Sequence, residues 1–163
     1  MNNKTDASGA KLIASNRKAW HDYTILDEVE AGIVLHGSEV KSVREGQVQL
    51  ADAHAHIVRN EMWLEGVHIA PYRFAVGVGA HDPMRSRKLL LHSEQIHRLQ
   101  ARMAKERLTL VPLSLRLVNG RVKVELGLAR GRQKADRRQA IAEKESQLEM
   151  RREQGRQNKG MNP

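Results

Sequence analysis

Leu113-Ser114-Leu115-Arg116-Leu117-Val118-Asn119-Gly120-Arg121-Val122-Lys123-Val124-Glu125-Leu126-Gly127-Leu128 is the stretch on which the fold is decided. Leu113, Leu115 and Leu117 recur with a period of two, and Val122, Val124, Leu126 and Leu128 alternate back, as strands with one buried face do. Asn119-Gly120 between them suits a type I′ turn, whose twist matches that of paired strands. Leu108 and Leu110 are out of phase with Leu113 onward. That predicts a bulge or bend near Val111-Pro112, because one extra residue flips a strand's faces.

Upstream, alternation at Tyr23 and Ile25 and again at Ile33 and Leu35, broken at Ala31-Gly32, predicts two short strands near 20–28 and 31–36. Ser38 to Gly46 has the makings of a small helix: Ser38 to cap it, Glu39 at its positive end, Val40 and Val43 on one face, Gly46 to stop it. A strand is expected over about 50–58, then a tight turn at Arg59-Asn60-Glu61 into a strand carrying Met62 and Leu64. Periodicity fails from Ala70 to Arg87, where Pro71, Gly77, Gly79 and Pro83 mark a long loop of the kind often used for function. Lys88 to His92 re-enters the core, and Ser93-Glu94 opens a helix with Ile96, Leu99 and Met103 on one side. The count is mainly β: about six short strands with two or three helices, which can close into a small barrel of the oligonucleotide-binding (OB) type. A two-layer α+β sandwich is the alternative.

Downstream of the hairpin the chain changes character. The +9 net charge of these 163 residues is unevenly spread, and Ala129 to Pro163 carries +5 of it. The strong helix formers from Gln139 to Glu145 are accompanied by too few apolar residues for a core stripe, so the tail is expected to be disordered alone and helical on a partner. Three parts follow: a disordered N-terminus over 1–14, a domain over 15–129 and a basic tail over 130–163. Gly127 and Gly131 read as the joint where the tail turns away.

A pI near 10.3 favours a polyanionic partner. There is no cysteine, which removes disulfides and thiolate metal sites. Neither a signal-type apolar segment nor a membrane-spanning run is present, so a soluble, cytoplasmic protein is expected. The five aromatics are scattered along the sequence, which argues against a base-stacking platform and for recognition through backbone and shape. Eight histidines raise the question of a metal, but no carboxylate stands at ligand spacing from His54 and His56. No nucleophile elbow, P-loop or zinc-protease motif occurs, and no cofactor, metal or enzymatic activity is expected. An RNA-processing enzyme using His21 or the His54/His56 pair is the catalytic rival. Three basic clusters remain: Asn16-Arg17-Lys18 with His21, Arg85-Ser86-Arg87-Lys88, and the tail from Arg130. Around a near-neutral body they point to nucleic acid.

The runs Asn16 to Tyr23, Glu30 to Ile33, Gly37 to Arg44, His81 to Leu91 and Gly127 to Arg132 occur in an order that resembles the small protein B, or SsrA-binding (transfer-messenger RNA-binding), family of bacteria. The likeness covers Asn16 to about Arg152. It implies an OB-type barrel and a part in trans-translation, the rescue of ribosomes stalled on mRNA without a stop codon. The barrel would bind the tRNA-like domain of transfer-messenger RNA. The complex would travel as a monomeric protein with alanylated RNA and elongation factor Tu to the ribosome. The tail would enter the decoding centre and the empty mRNA channel. A general OB-fold ribosomal protein or translation factor is the alternative. The resemblance assigns RNA binding to Asn16, Arg17, Lys18, His21, Glu30, Lys41, Arg44, Arg85, Arg87, Lys88 and Leu90; for Leu90 the competing reading is core packing. It assigns ribosome contact to Arg130, Gly131, Arg132, Lys134, Asp136, Arg137 and Arg138. The family often has histidine or an aromatic just before the tail aspartate, where this chain has Ala135.

Overall fold

A computed structural model describes residues 9–75, 79–132 and 134–160, with the backbone alone for 134–140 and 157–160. The expected looseness at Gly77 and the tail residue Gln133 lie outside the described residues. The elements run β1 (Ala10–Ser15), α1 (Arg17–Asp22), β2 (Tyr23–Ile33), α2 (Gly37–Arg44), β3 (Val48–Gln49), β4 (His54–Val58), β5 (Glu61–Glu65), β6 (His68–Ile69), β7 (Arg87–Leu90), α3 (Ser93–Glu106), β8 (Thr109–Val118), β9 (Arg121–Gly131) and α4 (Lys134–Gly160). The chain divides into two compact units, one ending at Gly131 and the other beginning at Arg132.

The first unit is a barrel. Its main sheet runs β1-β8-β4-β5-β7-β2-β9, and β9 also pairs with β8, so six strands form a ring with β1 added outside. Closure removes the open edges a flat sheet would present. The β8–β9 hairpin is the spine of the ring. Asn119 and Gly120 have φ of 50° and 78°, as a type I′ turn requires. Register shifts between Pro112 and Ser114, one residue beyond the expected bulge. The shift leaves Leu110 and Leu115 inside the barrel, although five positions apart, while Val111 and Leu113 face outward to a second cluster with Ala19 and Ala129. The bulge thus gives β8 two buried faces, one for the barrel core and one for α1. The Arg59-Asn60 turn is similar, with φ of 51° and 61° at the two residues.

Several expectations are corrected. The two strands placed near 20–28 and 31–36 are one, β2, and its N-terminal part is replaced by α1. Gly32 does not break the strand; a Cβ there would stand 3.3 Å from the Cβ of Leu90, so its bareness admits β7. His36, not Ser38, is the N-cap of α2. Residues 10–14, expected to be disordered, form β1, because β8 offers an outer edge with which Ala10 to Ser15 pair. Gly127 is no hinge: it is buried in β9, and a Cβ would lie 3.0 Å from Leu113. Arg130 and Gly131 pair with Thr24 and Tyr23, so β9 runs two residues past the expected boundary at 129.

The second unit is the helix α4, and every described side chain from Ile141 to Arg156 is exposed. The tail's capacity for helix is met. A helix that buries none of these side chains draws on propensity alone and is marginal in water.

Candidate nucleic-acid interface

The first basic cluster is organised by Asn16. Its Oδ1 accepts from the Ala19 N–H at 3.1 Å, and its Nδ2 donates to the carbonyls of Leu50 (3.1 Å) and Pro112 (2.8 Å). At 2 % exposure this side chain is fully engaged inside the protein. Asn16 is therefore corrected from an RNA contact to a positioning residue: it starts α1 and ties it to β8. What α1 presents outward is Arg17, Lys18, Trp20 and His21. Lys18 donates to Asp52 at 2.6 Å, and that hydrogen bond with its opposite charge holds the ammonium above its ordinary pKa. The His21 ring lies 2.9 Å from Asp22. Trp20, not singled out from the sequence, is about half exposed.

The second cluster is taken apart by the fold. Arg87 points inward and is wholly buried, pairing with the equally buried Glu39 of α2. Its Nη1 donates to the Val67 carbonyl at 2.8 Å and its Nη2 to the Pro83 carbonyl at 3.1 Å. Arg85, mostly covered, reaches the same carboxylate at 2.5 Å and the Val34 carbonyl at 3.3 Å. Burial alone would push the Glu39 carboxyl up; the Arg85 bond, the His36 N–H and Arg87 outweigh it and leave Glu39 below the usual carboxylate range. Burial lowers Arg87 from its ordinary value, with Glu39 opposing. Arg87 is thus corrected from the RNA-facing surface to an internal clamp between α2, Val67 just ahead of β6, and the loop before β7. A buried cation must be paired and hydrogen-bonded, and these partners consume it. Lys88 alternates outward and sits 3.3 Å from Glu61.

A further face was dispersed in sequence and is gathered by the barrel. Leu90, Gly32 and Lys123 stand in register across β7, β2 and β9, and Glu30 pairs with Glu125 in the neighbouring row. Leu90 is 52 % exposed while Leu89 beside it is buried, so the core-packing reading applies to Leu89 and not to Leu90. A shallow groove runs along this face, lined by Gly32, Leu35, Val40, Leu90, Arg121 and Lys123. Its neighbour holds Glu28, Glu30, Arg116, Lys123 and Glu125. There a hydrogen bond between Glu28 and Glu125, then desolvation, then their like charge, hold Glu28 above its ordinary pKa. The sequence signal for Lys123 was only its outward place in the alternation; its meeting with Leu90 needs the ring.

Lys41 and Arg44 are both exposed and lie three apart on α2. Arg130, Gly131 and Arg132 are exposed at the end of the barrel unit and the start of the next. Lys134, Asp136, Arg137 and Arg138 lie in the first turns of α4, where the backbone alone is described. The reading that no carboxylate completes a set with His54 and His56 is also corrected. Glu65 pairs across from His54, and one ligand atom from each of the three lies within 4.8 Å of the others. The His56 Nε2–Glu65 Oε1 separation of 3.8 Å is wider than the roughly 3.3 Å between nitrogen or oxygen ligands on a tetrahedral zinc with ~2.0 Å bonds.

Residues 13–156 match the model of the family described as "SmpB protein". The chain belongs to the SmpB family. It is 53 % identical over 160 residues to the SsrA-binding protein of Mycolicibacterium smegmatis, covering 98 % of this chain and 99 % of that one. The SsrA-binding protein of Mycobacterium tuberculosis H37Rv is 49 % identical over 158 residues, covering 97 % and 98 %. Among solved structures, a chain from work described as "tmRNA-SmpB: a journey to the center of the bacterial ribosome" matches with a TM-score of 0.64 and 42 % identity, covering 78 % of this chain and 93 % of that one. Among the described residues no helix is long and apolar enough to cross a membrane.

Proposed function

We propose that this protein binds the tRNA-like domain of transfer-messenger RNA through its barrel and brings it to stalled ribosomes, where the tail helix lies in the empty mRNA channel. The observation that carries the reading is family membership over nearly the whole chain, with relatives named for SsrA binding. The barrel's part falls to two surfaces: the outward side of α1 with Arg17, Lys18 and His21, and the β7–β2–β9 face with Leu90, Glu30 and Lys123. Leu90 beside bare Gly32 offers an apolar contact to a base or ribose, and Glu30 accepts hydrogen bonds from base or 2′-hydroxyl donors, a use consistent with RNA recognition. Lys41, Arg44, Lys88 and Arg85 supply charge around these surfaces, Arg85 chiefly through Glu39.

The tail, with Arg132, Lys134, Asp136, Arg137 and Arg138, gains order from an RNA-walled channel that neutralises its cations and confines a helix too weak to persist alone. The protein works as a monomer in the cytoplasm, without catalysis of its own, and enters the ribosome with alanylated RNA and elongation factor Tu.

Ending the chain after Gly131, where β9 finishes, tests this division. Affinity for the tRNA-like transcript should stay within a few-fold while tagging of stalled peptides is abolished. Loss of RNA affinity in the shortened protein would sink the division of labour. Sequencing of the RNA that copurifies with the full chain checks the partner: one dominant RNA with a tRNA-like end is expected, and stable ribosome binding without it would favour a general translation factor.

A further inference from the structure

We infer that Tyr72 and Phe74, on the loop between β6 and β7, form a stacking site for one unpaired nucleobase, with Lys41 and Arg44 of α2 taking the adjoining phosphate. The inference rests on RNA being the partner and adds a base contact, on a loop outside the two surfaces described above, to the charge that Lys41 and Arg44 bring.

The aromatics looked scattered in sequence, but the loop brings two of the five together. Their ring centroids are 5.4 Å apart at 69°, edge to face. Each ring carries a cation: Lys41 Nζ stands 5.3 Å from the Tyr72 centroid, and the Arg73 guanidinium 4.9 Å from that of Phe74. Phe74 is the chain's single phenylalanine and is 68 % exposed, although an aromatic of that size gains by burial. An apolar ring kept in water beside cations has the composition of a nucleotide site: a π face for the base, positive charge for the phosphate.

The platform is also held in place. The Ile69 N–H donates to the Pro83 carbonyl at 3.0 Å, and the Ala70 N–H to the Gln47 carbonyl at 3.0 Å, closing the foot of the loop. His81 bridges Ser38 (2.8 Å) and the Ile69 carbonyl (3.0 Å), while Arg87 holds Pro83. A turn from Tyr72 to Ala75, with a bond of 2.9 Å, sets the two rings on one side. Glu45 stands 3.7 Å from Arg73 and partly offsets its charge, which leaves Lys41 and Arg44 to the phosphate. The buried Glu39–Arg87 pair thus fastens the loop to the same helix that supplies those cations.

The base could come from transfer-messenger RNA or from ribosomal RNA, and three probes separate the sources. Full-length wild type, Phe74→Ala and Phe74→Trp are titrated with a tRNA-like-domain transcript, with purified small ribosomal subunits, and with a short unstructured oligouridine. Stacking on an aromatic side chain corresponds to roughly 5- to 150-fold in affinity on alanine replacement. Phe74→Ala should weaken at least one probe about fivefold or more and Phe74→Trp should restore it. The dependence of affinity on salt should not change, because no charge is removed. An exposed ring can be removed without unfolding the barrel, which thermal melting verifies. Phe74→Ala binding within twofold of wild type on all three probes would overturn the stacking site. Wild-type binding of oligouridine but not of the transcript would sink the transfer-messenger reading and leave the stacking site to be judged by its own variants.

Discussion

Replacing Arg87 by methionine separates a buried clamp from a phosphate contact. The side chain has no exposure, pairs with buried Glu39 and donates to carbonyls of Val67 and Pro83. Methionine fills much of the volume but removes the Arg87 donor from the Val67 carbonyl, leaves the Pro83 carbonyl with the Ile69 N–H, and leaves Glu39 with Arg85 and the His36 N–H alone. Breaking a buried pair from one side costs about 3–5 kcal/mol. For a unit of this size about 1 kcal/mol corresponds to roughly 3–4 °C in Tm, so a fall of about 10–20 °C is expected. Urea unfolding followed by tryptophan emission gives the free energy directly. RNA affinity is then measured against salt, at a temperature where both proteins are folded. Each phosphate contact contributes about 0.9 to the slope of log affinity against log salt. Arg87→Met should leave that slope unchanged, whereas Lys41→Ala should lower it by about 0.9. A second signature lies in pH. The depressed pKa of Glu39 means that its stabilisation is present above its unfolded pKa and lost as pH falls through the folded one. With Arg87 removed the folded pKa rises towards the unfolded value, so the acid-side loss flattens. Unchanged stability together with a slope lower by about one would refute the clamp and return Arg87 to the RNA.

Asn16→Ala should cost about 2–3 kcal/mol in urea unfolding, because it removes an N-cap bond and two buried amide donations, to Pro112 and to a Leu50 carbonyl that then keeps only the Ala53 N–H. Gly127→Ala should cost about 1–3 kcal/mol through overpacking against Leu113, and Leu113→Val in the same chain should recover part of it. Glu28→Gln should raise Tm at neutral pH and remove a pH dependence of defined sign: a raised folded pKa contributes stability below the unfolded pKa that is lost as pH rises through the folded one. Melting curves from pH 3 to 7, in steps of about one unit, check it.

The hairpin, the bulge and the type I′ turn were legible because each depends on residues close in sequence. Leu110 and Leu115 both reach the core only if one residue is extra, and that arithmetic needs no partner strand. The RNA site was less legible. Residue type marked Arg85-Ser86-Arg87-Lys88 as a basic cluster, but a strand alternates its faces, so Arg87 goes in and Lys88 goes out. Asn16 looked like a contact and is a cap, because its value lies in the Leu50 and Pro112 carbonyls, one of them 96 residues away. Leu90 could be separated from Leu89 only once the inside of the barrel was known.

By itself the sequence determined the strand-rich body, the basic tail, the bias to an anionic partner and, through ordered motifs, the family. Those properties are local or compositional, set by residue type and spacing before any long-range contact forms. Only the tertiary structure decided which cations are spent internally, that Gly32 clears space for Leu90, that Glu39 balances Arg85 and Arg87, and that Tyr72 and Phe74 meet. The meeting of Tyr72 and Phe74 depends on the loop turn from Tyr72 to Ala75; the others depend on closure of the ring, which joins residues far apart in the chain and sets, by strand register, which side of each strand meets water. A charge counts towards RNA only if folding leaves it facing solvent, and that is a property of the barrel.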